Sequence, residues 1–204
     1  MRVSVCLLLC ILLHVPVEFE PAHLEQIAPV EHNPNVIAST WVIAGLDVGV
    51  DGHVRSATVV KGEEPLRSAV LASVRRWVLT PARTRTPVES RVTGVFLFRG
   101  RDIFSAPPPD LSGVSFAGPD RPPIPVRLSD PGYLVNSIAE GEVVLELRLS
   151  EAGSIQNVRV VKGIPALAEF TDQAVRSWRF APALQMGQPV PGTVIVVVSY
   201  VRPV

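Results

Sequence analysis

Four histidines, His14, His23, His32 and His53, are the side chains of this 204-residue chain best suited to acid–base or metal chemistry. They are scattered. His14 lies in an apolar run and His53 opens a strand-like stretch. His23 and His32 share a segment with too few further ligands for a metal site, so they read as solvated loop residues. Asp51 and Glu151 sit beside glycines in turn-like contexts, where acids are common. Neither has a second carboxylate at a recognisable spacing. Lys61-Gly62 and Lys162-Gly163 lack the leading glycines of a phosphate loop. No nucleophile motif occurs. These side chains predict no catalytic residue, no metal, no cofactor and no enzyme.

The chemistry that remains belongs to the backbone. Val194, Ile195, Val196, Val197 and Val198 are all β-branched and uncharged, and Ser199 and Tyr200 extend the run. At the edge of a sheet such a strand is a template for another strand, so it is either covered or used. Two expectations follow. These seven residues form a partner-binding strand, or the strand lies inside the sheet, pairing with an earlier part of the chain or with a second subunit.

The elements that must position this strand can be read from periodicity. Val143, Leu145, Leu147 and Leu149 alternate with Val144, Glu146, Arg148 and Ser150, which predicts a strand with one buried face. A turn at Gly153 leads to a return strand over 155–161. Pro165 suits the first turn of a helix. Leu167, Phe170, Ala174, Val175 and Trp178 then form one apolar stripe. Arg176 and Arg179 lie over that core. Pro182 ends the segment, and the valine-rich strand follows a turn-rich loop. The same order occurs once before. Trp77 precedes Trp178 by 101 residues, and that spacing holds without a gap from 41 to 86. Leu66, Ala69, Val70, Ser73, Val74 and Trp77 make the earlier helical stripe. The expectation is an α+β protein of two tandem ββαβ domains, each a small antiparallel sheet with one helix on a face.

The ordered set resembles the C-terminal domain of the TonB energy-transducer family. The matching residues are Gly141-Glu142-Val143-Val144, Gly153, Val160-Val161, Ala174-Val175-Arg176, Trp178-Arg179-Phe180-Ala181-Pro182 and Gly187-Gln188-Pro189-Val190. Residues 133–204 resemble the family closely. Residues 41–100 form a degenerate copy that keeps Trp77 and Pro81, has Leu79 for the second aromatic and lacks a Gly before Pro87-Val88. The structural motif is thus Trp77, Pro81, Gly153, Arg176, Trp178, Phe180 and Pro182. The resemblance implies a protein of the cell envelope, in the periplasm of a Gram-negative-type bacterium. It also implies a link to transmembrane transport and a last strand to which a short segment of an outer-membrane transporter adds. The alternative is an interaction module whose domains pair with each other, or form a homodimer, through their last strands.

The rest of the chain fits around these units. With 19 basic and 19 acidic residues and no basic run, nothing points to nucleic acid. Residues 1–22 read as a signal peptide or short membrane anchor, with inner-membrane association through 3–17 in the second case and Ala22 as the best cleavage candidate. Cys6 and Cys10 lie in this segment. Residues 23–40 are a lead-in, with a short helix expected around Leu24 and Ala28. Residues 101–132, rich in proline, are a stiff linker in which Ile103, Phe104, Phe116 and Ile124 could pack on a domain. Another short helix is expected over 133–139. The family's transducers carry a long membrane helix and a long spacer. Here the reach from Val17 to Trp41 is roughly 75–80 Å fully extended, a departure that bears on force transmission and not on binding.

Overall fold

A computed structural model describes residues 19–32, 38–134 and 137–203. The signal or anchor reading of residues 1–18, with Cys6, Cys10, His14 and membrane association through 3–17, lies outside the described residues. The first half contains β1 (His23–Gln26), β2 (Thr40–Val48), β3 (Val54–Lys61), α1 (Leu66–Val74), β4 (Val78–Thr80), β5 (Ala82–Arg83), β6 (Pro87–Val88) and β7 (Ser90–Phe98). The second contains β8 (Ile124–Arg127), β9 (Gly141–Leu149), β10 (Ile155–Lys162), α2 (Pro165–Val175), β11 (Arg179–Ala181), β12 (Ala183–Gln185), β13 (Gln188–Val190) and β14 (Gly192–Tyr200). Each element of the first half has a counterpart 101 residues on, and 102 residues on from β6, the β12–β13 hairpin being one residue longer.

The protein is α+β, but the two halves do not keep separate sheets. One six-stranded sheet runs β10-β9-β14-β7-β2-β3, antiparallel except at its centre, where β14 and β7 are parallel. Parallel pairing of corresponding strands relates the halves by a near two-fold rotation along the strands, which turns the sheet over. Residues directly opposite in a sheet share a face, so they cannot be counterparts. The register obeys this: Val95 faces Val196, whereas its counterpart is Val197.

The two helices therefore lie on opposite faces. Val70, Val74 and Trp77 pack on Val42, Ala44, Leu46 and Phe96, in a core that also takes in Ile195 and Val197. Leu167, Val175 and Trp178 pack on Leu145 and Leu147, with Val194, Val196 and Val198, and Trp41, Ile43, Val95 and Leu97 join them from the first half. The helical stripe of α2 differs in part from expectation. Ala168 and Thr171 face the core, while Phe170 and Ala174 are half-buried.

Each helix covers only its own half, which leaves one face open on the other. The segment 19–32 fills that space on the α1 side and residues 101–134 fill it on the α2 side. Instead of the expected helix at Leu24, β1 pairs with β4, as β8 pairs with β11. The segment 101–132 is thus no free linker. Pro122, Pro123 and Pro125 are buried, and Phe116 lies over Gly45, where an added Cβ would sit 2.6 Å from the ring. Ile103 and Phe104 remain exposed. The described part of 133–139 is not helical. Ala22 is buried, and its carbonyl accepts a hydrogen bond from Thr193 Oγ1 at 2.6 Å.

Candidate functional site

The seven residues singled out by sequence, Val194, Ile195, Val196, Val197, Val198, Ser199 and Tyr200, occupy β14 and all are buried. Neither side of the strand is free. β9 takes one side over 192–200 and β7 takes the other over 194–199. An unbroken apolar run is what a strand buried on both faces requires. Of the two expectations, pairing with the earlier part of the chain describes the observed geometry. An incoming strand can reach this backbone only by displacing β7 or β9. At the strand's end, burial pushes the Tyr200 hydroxyl up to about 12. It bonds Thr171 Oγ1 at 2.8 Å, and Thr171 in turn donates to the Leu167 carbonyl.

The motif residues hold this arrangement together. Trp77 and Trp178 are fully buried, and each indole N–H donates to the segment that precedes its half, to the Ala28 carbonyl at 3.1 Å and the Ser129 carbonyl at 3.0 Å. Phe180 sits in β11, buried beside Trp178 with ring centroids 6.5 Å apart. Pro81 and Pro182 follow β4 and β11 and are half-buried. Arg176 forms an exposed ion pair with Asp172 at 2.9 Å, and Arg179 donates to the carbonyls of Arg176 and Trp178. Gly153 has φ +76°, and a Cβ there would lie 2.3 Å from the Phe180 carbonyl oxygen. Both obstacles apply to any L side chain. Gly153→Ala should therefore destabilise the protein by about 2–3 kcal/mol, read as a lower urea midpoint at unchanged slope.

The histidines are placed differently from the sequence reading. His23 lies in β1, with Nδ1 2.9 Å from Glu146 Oε1. His32 packs edge-on to Phe98 at 4.7 Å and lies 3.3 Å from Ser199 Oγ. Neither is a solvated loop residue. His53 alone of these is exposed. Among the described residues no group of three or more His, Cys, Asp and Glu could hold a metal ion.

Glu146 is the residue that periodicity misplaces. Alternation assigns it to an exposed face, but its side chain is 2% exposed because β1 crosses above it. Burial pushes its carboxyl up, yet His23, Arg159 Nη2 at 2.7 Å, the Leu24 N–H at 2.6 Å and the charge of Arg159 outweigh burial and hold it down at about 2. A carboxylate depressed in the folded state stabilises above its unfolded pKa, and the contribution is lost as pH falls through the folded value. Glu146→Gln should thus cost about 2 kcal/mol at pH 7. The difference from the parent should close between pH 4.5 and about 2, measured by urea unfolding across that range.

The unpaired edges of the sheet are β3 and β10. Both carry charge, Arg55 and Lys61 on the first and Arg159 and Lys162 on the second, and both meet their neighbours through irregular register. Such features discourage indiscriminate pairing. β10 nevertheless exposes Val160 to 49%, with Ile164 at 44% just beyond it.

The family model described as Gram-negative bacterial TonB protein C-terminal matches residues 135–201. No curated protein and no solved structure matches the chain. The matched stretch contains β9, β10, α2, β11, β12, β13 and β14, the whole second half of the sheet with its helix. The match spans about a third of the chain and marks that stretch as similar to the TonB C-terminal domain.

Proposed function

We propose that this chain is a TonB-like cell-envelope protein, working in the periplasm and linked to transmembrane transport, that engages a segment of an outer-membrane transporter by strand addition at β10. The observation that carries the docking position is the strand order. In the half that matches the family, β10 is the open edge, whereas β14 is enclosed by β9 and β7. Strand addition needs a row of free backbone donors and acceptors, and only an edge supplies it. The residues 41–100 serve in this reading as a second, degenerate copy of the domain, held against the first through β7. The element-by-element spacing of 101 to 102 residues supports that duplication. Among the described residues no helix is long and apolar enough to cross a membrane.

A second reading is favoured by the seam itself. If the last strands exist to join the two halves, the protein is a structural interaction module with no transport role. Titrating the isotopically labelled full chain with N-terminal peptides of outer-membrane transporters separates the two. Saturable amide shifts centred on 155–162 support docking at β10. Shifts confined to β14 with loss of the β7 cross-peaks would move the docking site back to the last strand. An absence of shifts at about millimolar peptide favours the structural module.

A further inference from the structure

A cleft of about 320 Å³ opens where β7 and β14 begin, at the end of the seam between the two halves. It is walled by Phe19, Leu184, Val190 and Pro191 and carries polar groups from both halves. Most of its charges are already engaged. Arg91 binds Asp47 at 2.8 Å and donates to the carbonyls of Ala117 and Asp120. Arg55 is paired with Asp51 at 2.7 Å. Asp120 accepts the Met186 N–H. The remaining acid of the lining, Glu89, is exposed.

Two groups in the lining differ. Arg121 Nε and Ser90 Oγ are buried and have no hydrogen-bond partner among the described residues. The Arg121 guanidinium takes part in none of the ion pairs of the described residues either. A guanidinium offers donors only, in a fork that matches a carboxylate. The Ser90 hydroxyl, in the lining of the same cleft, supplies one more donor. Buried donors without acceptors are rare in folded proteins and call for a partner.

We propose that this cleft binds a carboxylate attached to a short apolar group, held by Arg121 and Ser90 with its apolar part against Phe19, Leu184 and Pro191. The volume lies at the small end of ligand pockets. It suits the C-terminal end of a peptide or a short acyl acid, and not a folded strand. The site is independent of β10, so it stands or falls apart from the docking proposal.

Calorimetric titration of the full chain with N-acetyl-Leu-Leu, its C-terminal amide and hexanoate tests this. The expected result is saturable binding of at least one of the two acids with a Kd of about a millimolar or tighter. The tighter of the two identifies the peptide or the acyl source. Binding should weaken about tenfold or more in Arg121→Met and in Ser90→Ala, recover in part in Arg121→Lys, and stay unchanged in Arg85→Met, an exposed residue outside the cleft. Thermal melting checks that each variant folds. If Arg121→Met does not fold, the comparison of acid with amide on the parent decides. Equal binding of acid and amide, full binding by Arg121→Met, or no binding of either acid would overturn the proposal and leave water as the partner of these two donors.

Discussion

Val196→Asp should unfold the whole protein. Val196 is fully buried at the centre of the sheet, opposite Val95 on one side and Leu145 on the other. Aspartate there places an unpaired charge in a core sealed on both faces, which costs at least several kcal/mol. That is comparable with the total stability of a domain of this size. Val160→Asp offers the contrast. Val160 is half-exposed on β10, and the same substitution there should change stability by about 0.5 kcal/mol or less. Urea unfolding followed by tryptophan fluorescence distinguishes them, because Trp77 and Trp178 report on opposite faces of the sheet. If β14 were an open docking edge, Val196→Asp would leave a folded protein that merely fails to bind.

The second large effect is expected at the other end of β7. Arg99 and Asp130 form an ion pair at 2.9 Å with both side chains fully buried. Arg99 also donates to the carbonyls of Asp102 and Phe104 and lies over the Tyr200 ring at 5.8 Å. Asp130 accepts the N–H groups of Ala106 and Gly132. The pair thus ties the segment 101–132 to the seam. Asp130→Ala leaves a buried guanidinium without its counter-charge and two backbone donors without acceptors. The expected loss is about 3–5 kcal/mol. Asp130→Asn keeps an acceptor and should lose less, about 1–3 kcal/mol. Proteolysis should then begin within 101–132, a segment that should resist cleavage in the parent. Equal protease resistance in the parent and Asp130→Ala would mean that the pair does not fasten this segment.

Much of the local structure was legible because it depends on short-range rules. Alternation located β9, the helical stripe located α2, and the glycine-bearing turn at Gly153 fell where the chain reverses at positive φ. The motif around Trp178 led to the family, and the family comparison covers the same stretch. What alternation could not reveal is what covers the second face of a strand. Glu146 reads as exposed because it alternates with Leu145 and Leu147 and shares a face with Arg148 and Ser150. It is buried because β1, more than a hundred residues earlier, lies across it. The same long-range covering turned residues 101–132 from a spacer into part of the fold. Proline content indicates stiffness, but it does not say whether a stiff segment is free or packed.

The last strand illustrates a further limit. The composition of β14 establishes that its backbone and both faces need cover, since an apolar uncharged strand left open invites aggregation. It does not say which strand provides that cover. The parallel partner β7 contains Arg91 and Gly94 and is followed by Arg99, features that by themselves make a weak template. Both arginines turn out to be occupied, Arg91 by Asp47 and Arg99 by Asp130. With those charges neutralised, β7 is free to pair.

The most direct test of the enclosed last strand is native-state amide exchange along β14 at single-residue resolution. In an edge strand, every second amide faces solvent and exchanges early, whereas a strand paired on both sides protects consecutive amides alike. The prediction is that the amides of residues 194–199, odd and even together, exchange only through global unfolding. Alternate amides on β10 should exchange far faster. Rapid exchange of alternate amides in β14, with protection kept only where it meets β9, would mean that β7 does not close the strand. The last strand would then be an open edge available to a partner.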